Sequence, residues 1–271
     1  MSDGVELNLE TRGDEKDRLV LCLHGFPQSS HAWLPELERL AAEGYYAVAP
    51  DLRGYGKSDK PAAVSAYKGT RLALDIKEII TGLGRETALV VSHDWGAVIG
   101  WVVAAFHPEV VERLVIINGP HPDKIKEALK SSQAQRKRSW YIFFFQLPLL
   151  PELFLRRKNT MSMVLKGVTK DAFSPDDIAF YRDAVRAPGA ARAMINYYRA
   201  SARYGSARLP KIKAPTLVLW GEQDVALGQE LLEGLDQVAD EVQVQRLKNA
   251  SHWVMEDAPK EAHAAIRAFL A

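Results

Sequence analysis

Residues 92–96 read Ser-His-Asp-Trp-Gly and stand between the apolar run 87–91 and the helix-like run 97–106. A strand, a sharp turn and a helix make a nucleophile elbow when small residues lie two before and two after the apex, because the two backbones approach closely there. Ser92 and Gly96 meet that demand and put Asp94 at the apex. A carboxylate in this position suits attack on an sp³ carbon, giving an ester whose carbonyl carbon belongs to Asp94 and which water can then hydrolyse. The plainer reading is that Asp94 only caps the helix that follows, since Asp is a favoured N-cap.

Three companions weigh against capping alone. His24-Gly25-Phe26-Pro27 follows the apolar run 18–23, where a loop can offer the Phe26 N–H to a developing oxyanion. Trp95, directly after the apex, can offer a second N–H. Asp224 ends the loop after the run 215–221, and His252 lies between the last strand-like run and the last helix-like one. His252, oriented by Asp224 through its other ring nitrogen, is then the base that activates water. The chain order of nucleophile, Asp and His, each after a strand, is the order used on the α/β-hydrolase fold.

The elements that must hold these residues are legible as alternation. Apolar runs at 5–10, 18–24, 45–50, 88–92, 113–118, 215–221 and 241–247 are interleaved with helix patterns at 31–43, 69–84, 96–106 and 259–270. This predicts a mostly parallel central sheet flanked by helices. Between Pro120 and about Leu209 the strand signal vanishes, and aromatic clusters, basic groups and Pro148, Pro151, Pro175 and Pro188 take its place. The expected organisation is a core domain of 1–120 and 209–271 with an inserted helical cap of 121–208. The apolar stretch 140–155 reads as a buried or site-lining helix, and the basic groups 136–138 and 156–158 as solvated helix faces.

Composition bounds the partners. With 271 residues, 47% apolar and 25% charged, the chain can bury a large core. Thirty-five Lys and Arg against 34 Asp and Glu leave a formal charge of +1, so no overall field draws nucleic acid or an anionic surface. The single cysteine, Cys22, lies in an apolar run, which excludes a disulfide framework and a thiol metal site. No basic segment followed by an apolar one opens the chain, so a cytoplasmic location is expected. Stable membrane insertion is not expected either, since 140–155 is short and interrupted by Gln146, Glu152 and two prolines. No metal or nucleotide motif is present, so no cofactor is implied. Oligomeric state stays open, a homodimer included.

His-Gly-Phe-Pro (24–27), Asp-Leu-Arg-Gly-Tyr-Gly-Lys-Ser-Asp (51–59), Ser-His-Asp-Trp-Gly (92–96), Gly-Glu-Gln-Asp (221–224) and Ser-His-Trp (251–253) together resemble the α/β-hydrolase-fold epoxide hydrolases. The likeness covers nearly the whole chain and matches the soluble, bacterial-like type without an N-terminal phosphatase domain. Two motifs in the cap region add to it: Tyr-x-x-x-Phe-Gln at 141–146 and Asn-x-Tyr-Arg at 196–199. The resemblance implies that Tyr141 and Tyr198 assist ring opening, that a small apolar epoxide and water are the substrates, and that the Phe26–Pro27 peptide is cis. On pattern alone each tyrosine could be plain core, and Tyr197 could be the inward member of its pair. His24 and His93 are expected to brace loops, His107, His121 and His263 to be surface or helix-end residues, and Asp51, Gly54 and Gly56 to shape a loop behind the site.

Small departures from the family pattern are Ser251 before the histidine and Ser92 before the elbow, both small enough to keep the geometry. The nearest rival is a haloalkane or haloacid dehalogenase using the same Asp94. A haloalkane enzyme usually carries Asn where this chain has Phe26, and a haloacid enzyme wants Arg where it has Trp95. A rival of another class is a ligand receptor that keeps the fold without turnover.

Overall fold

The computed structural model describes residues 1–169, 172–205 and 208–271; positions 170, 171, 206 and 207, all within the expected cap segment, lie outside the described residues. Seven strands form one sheet: β1 (Leu9–Arg12), β2 (Arg18–Leu23), β3 (Tyr45–Pro50), β4 (Ala88–His93), β5 (Val111–Ile117), β6 (Thr216–Gly221) and β7 (Val242–Leu247), in the spatial order β1-β3-β2-β4-β5-β6-β7. Only β1 runs antiparallel to its neighbour. The chain leaves β2 toward one edge and returns to β4 on its other side. Order therefore reverses at β2, and the crevice beyond the carboxyl ends of β2 and β4 is where open α/β sheets bind ligands.

The interior strands are apolar without a break because both of their faces are covered. Along β2 the side chains divide by parity, Leu19, Leu21 and Leu23 entering one core and Val20 and Cys22 the other. The second core is closed by α1 (Leu34–Ala42), through Leu37 and Leu40, and by the C-terminal helix Pro259–Leu270, through Ile266 and Phe269. The first is closed by α2 (Gly69–Gly82) and α3 (Trp95–Phe106), through Ile76, Ile79 and Ile99. Between β5 and β6 come seven helices and no described strand: α4 (Pro122–Ser131), α5 (Gln133–Arg138), α6 (Trp140–Phe144), α7 (Leu150–Leu155), α8 (Thr160–Val164), α9 (Pro175–Arg186) and α10 (Ala190–Tyr204). After β7 follow α11 (Val254–Asp257) and α12 (Pro259–Leu270).

Two expectations change. The first strand lies at 9–12, not 5–10, because 6–8 are tied to the 51–59 loop: Asn8 accepts from the Asp51 N–H and Glu6 from the Asp59 N–H. The stretch 140–155 is not one buried helix, since Pro148 and Pro151 divide it into two short ones. Much of its apolar surface is exposed, including Trp140, Phe143, Leu149, Leu150 and Leu153. His121 is a helix-end residue, as expected, and a buried one: it caps α4 by accepting the Asp123 N–H on Nδ1. The Phe26–Pro27 peptide is cis, as expected.

Candidate active site

The turn from β4 to α3 holds Asp94 at φ 49° and ψ −116°, a region in which non-glycine residues are rare and strained. Asp94 makes no side-chain bond to the N–H groups of α3, so its carboxylate is not spent on capping. The turn closes because Gly96 has no side chain: a Cβ there would lie 2.3 Å from the Leu23 carbonyl oxygen. Gly25 does the same from β2, where a Cβ would lie 2.3 Å from that of Asp94. Ser92 is accommodated by donating its hydroxyl to the Val115 carbonyl at 2.8 Å.

Loops after three other strands converge on this apex. From the loop after β2, the Phe26 N–H donates to Asp94 Oδ1 at 2.6 Å. Among the described residues no hydrogen bond joins the Trp95 N–H to the carboxylate. From the loop after β7, His252 brings Nε2 to 3.5 Å from Asp94 Oδ2, an ionic approach too long for a good hydrogen bond. Behind it, His252 Nδ1 is 2.7 Å from Asp224 Oδ2. Asp224, buried after β6, accepts on Oδ1 from the Ala226 and Leu227 N–H groups at 2.7 and 2.9 Å.

The electrostatics follow from burial and these partners. Burial opposes the His252 imidazolium, but the carboxylates of Asp224 and Asp94 outweigh it and push the ring up to about 10. Burial likewise opposes charge on Asp224, yet His252, Asn118 and the Ala226 N–H hold its carboxyl below the usual range. His93, adjacent to the apex, is driven down to about 4 by burial and by the His252 charge. It thus stays neutral, with Nε2 2.9 Å from the His252 carbonyl oxygen. His24 braces as expected too, accepting the Leu52 N–H on Nε2.

Tyr141 from α6 and Tyr198 from α10 meet edge to face, their ring centroids 5.9 Å apart, and both line one cavity with Asp94. Tyr198 also packs on Phe26 and Trp95, at 5.6 and 4.9 Å. Desolvation first, then the Asp94 charge, raises both hydroxyls far above an ordinary phenol, so both remain neutral donors. Tyr197 borders the same cavity, but its hydroxyl turns to the core loop and donates to the Arg53 carbonyl at 2.7 Å. The cavity, about 510 Å³, runs from Asp94 along the α3 side chains Val98, Ile99, Val102 and Phe106. A second cavity of about 360 Å³ beside His31, Glu36, Tyr181 and Glu256 does not include Asp94.

One residue at this site lies outside the candidates named from the sequence. Asn118, fully buried at the end of β5, donates from Nδ2 to Asp224 Oδ2 at 2.7 Å and accepts the Gly221 N–H on Oδ1 at 2.7 Å. Its place at the end of the apolar run 113–118 is visible in the sequence, but its role as support for Asp224 needs the β5–β6 pairing. Beside the second cavity, Gln28 donates at 2.6 Å to Glu256, which burial raises to about 7. The 51–59 loop behaves as expected: Asp51 Oδ1 accepts from Ser30, and Oδ2 from Asn8 and Lys57, while Gly56 leaves room for that carboxylate.

Comparison with known proteins agrees with this geometry. Residues 18–259 match the family described as alpha/beta hydrolase fold. Epoxide hydrolase 3 of Xenopus tropicalis is 33% identical over 98% of this chain and 75% of its own length. The AB hydrolase superfamily protein YfhM of Bacillus subtilis is 34% identical over 95% of this chain and 92% of its own. Among solved structures, a Bacillus megaterium epoxide hydrolase in complex with an inhibitor superposes with a TM-score of 0.90 at 31% identity, covering 99% of this chain and 98% of that one. On sequence, fold and the convergence of four loops at one elbow, the chain belongs to the α/β-hydrolase fold family and, within it, to the epoxide hydrolases.

Proposed function

We propose that the protein opens small apolar epoxides to vicinal diols through a covalent ester on Asp94. Oδ1 of Asp94 is already held by the Phe26 N–H, which leaves Oδ2 as the attacking atom. As Oδ2 bonds to an epoxide carbon, the ring C–O bond breaks and its electron pair passes to oxygen. Tyr141 and Tyr198, facing Asp94 across the cavity, stabilise that alkoxide and one of them protonates it. An alkoxide leaves poorly without such a donor, whereas a halide needs none, which favours epoxide over haloalkane.

Alkylation then changes the base. The ester is neutral, so of the two carboxylates that hold a proton on His252 only Asp224 remains; the ring passes that proton to the phenolate left by ring opening and can then take one from water. Hydroxide attacks Cγ of Asp94, the oxyanion on Oδ1 is received by the N–H groups of Phe26 and Trp95, and collapse breaks the Cγ–Oδ2 bond, the departing oxygen taking the proton of the new carboxyl to complete the diol. The proton taken from water restores the His252 imidazolium, so phenol, base and Asp94 carboxylate all end as they began. Residues 121–208 act here as a cap that supplies both tyrosines to a core of 1–120 and 209–271. The setting inferred from the composition is the cytoplasm.

The observation that carries this reading is the line Asp94–His252–Asp224 beneath a largely apolar cavity whose opposite wall bears two neutral phenols. A panel of small epoxides in water enriched in heavy oxygen tests it, with diol expected and the label entering Asp94 on repeated turnover. Asp94→Ala should abolish turnover, and His252→Gln should slow ester hydrolysis by about 10²–10⁴ and trap an adduct visible by intact mass. Diol formation by His252→Gln without an adduct would refute the two-step route. Halide release from haloalkanes with no diol from epoxides would make the protein a dehalogenase, and neither activity would make it a receptor.

A further inference from the structure

The chain as a whole is nearly neutral, but residues 128–169 hold eight Lys and Arg against a single acid, Glu152. That acid is consumed internally by Arg199 at 2.7 Å. Arg138 is paired with Glu230, whereas Lys137, Arg156, Arg157, Lys158 and Lys166 are exposed and, among the described residues, none has an acidic partner. Interleaved with these cations are Trp140, Phe143, Leu149, Leu150, Leu153 and Met163, each more than half exposed. Helices α6 and α7 present them side by side, since Phe144 packs on both Trp140 and Phe154, at 6.0 and 5.6 Å. Leu149 is held outward at φ 62°, a backbone conformation that a leucine adopts only under strain.

Exposed apolar side chains gathered into one patch mark an interaction surface. Aromatic and aliphatic residues among unpaired cations have the composition of a surface that lies in the interface of an anionic bilayer. A second copy of this chain fits less well, because a two-fold contact sets the patch against itself and brings cation against cation. The surface also adjoins the cavity: Phe143, more than half exposed, is one of the cavity's lining residues.

We propose that the α6–α8 face docks peripherally on anionic lipid bilayers and holds the mouth of the cavity at the apolar phase. Docking involves no crossing, since among the described residues no helix is long and apolar enough to span a membrane. An apolar ligand dissolved in the bilayer then reaches the cavity past Phe143 without passing through water.

Vesicle sedimentation tests the proposal independently of turnover and therefore of the catalytic reading. The full chain should co-sediment with vesicles of phosphatidylcholine mixed with phosphatidylglycerol, bind far less to phosphatidylcholine alone, and be released by salt. Replacing the three cations together, Arg156→Gln, Arg157→Gln and Lys158→Gln, should weaken partitioning on the order of a hundred-fold. Leu150→Ser with Leu153→Ser should also release the protein, while thermal melting and turnover of a water-soluble epoxide report that the variants are folded. If the serine variant fails to fold, the charge variant alone decides. Failure to bind the mixed vesicles at low salt, or equal binding to neutral ones, would overturn the proposal. So would a concentration-dependent dimer abolished by these substitutions in a protein that ignores vesicles.

Discussion

Asn118 commits both ends of its amide, one to Asp224 and one to the Gly221 N–H, at a positive φ of 38°. A buried carboxylate that loses one such donor is left partly unsatisfied, at a cost of roughly 1–3 kcal/mol. Asn118→Ala is therefore expected to let Asp224 move and to slow ester hydrolysis about ten-fold or more while sparing alkylation. Rapid-quench mass spectrometry would then find more ester at steady state than in the unmodified protein; an equal loss in both steps would mean that Asn118 serves folding only. His252 makes a second test at this scale. Its folded value of about 10 lies above the unfolded one near 6.5, so the imidazolium stabilises the fold fully below that unfolded value, and the benefit is lost as pH climbs through about 10. The melting temperature should fall over that interval by an amount that His252→Gln does not show, which calorimetry against pH would measure.

At the scale of elements, the elbow depends on how closely β2 and α3 approach. Gly96→Ala puts a methyl group against the backbone carbonyl of Leu23, an atom that cannot swing away, and overpacking of this kind costs about 1–3 kcal/mol. Both the melting temperature and the rate of ester formation should drop, because separating the two elements also draws Asp94 away from the Phe26 N–H. An unchanged rate in a destabilised protein would show that the approach supports packing alone. The strands around this turn were readable because interior parallel strands are apolar on both faces, and Gly and Pro mark their ends. The displacement of β1 was not readable: whether 5–8 or 9–12 joins the sheet is decided by the loop 51–59, which lies more than forty residues away. The division of 140–155 was foreshadowed by Pro148 and Pro151, but its exposure was not, since an apolar run carries no mark of whether anything covers it.

For the whole molecule, α10 joins the helical insertion to the core through two adjacent tyrosines with different tasks. Tyr197 borders the cavity but commits its hydroxyl to the core loop at Arg53, while Tyr198 lines the cavity beside Tyr141 and Asp94. Tyr197→Phe should lower stability by about 1 kcal/mol and leave ring opening nearly intact. Tyr198→Phe should do the converse, slowing alkylation at least ten-fold with little change in the unfolding midpoint. Denaturant titration paired with single-turnover kinetics separates the two, and matching effects would mean that the helix responds as one rigid unit. Arg53 itself is buried with Asp75 in a two-bond ion pair at 2.7 and 2.6 Å, so the loop that receives Tyr197 is firmly held.

The sequence by itself determined the alternation of strands and helices, the small residues that permit the elbow, the chain order of Asp94, Asp224 and His252, and the family motifs that point to Tyr141 and Tyr198. These are local or ordered along the chain, and periodicity, residue size and spacing record them directly. Only the tertiary structure decided that Asp94 makes no capping bond, that Tyr197 spends its hydroxyl on the core loop while Tyr198 lines the cavity with Asp94, and that Asn118 stands behind Asp224. It also decided that the most apolar stretch of the chain is partly bare beside a band of cations. Each of those outcomes depends on which distant surfaces meet, and burial, hydrogen-bond partners and the field at a carboxylate exist only once they have met.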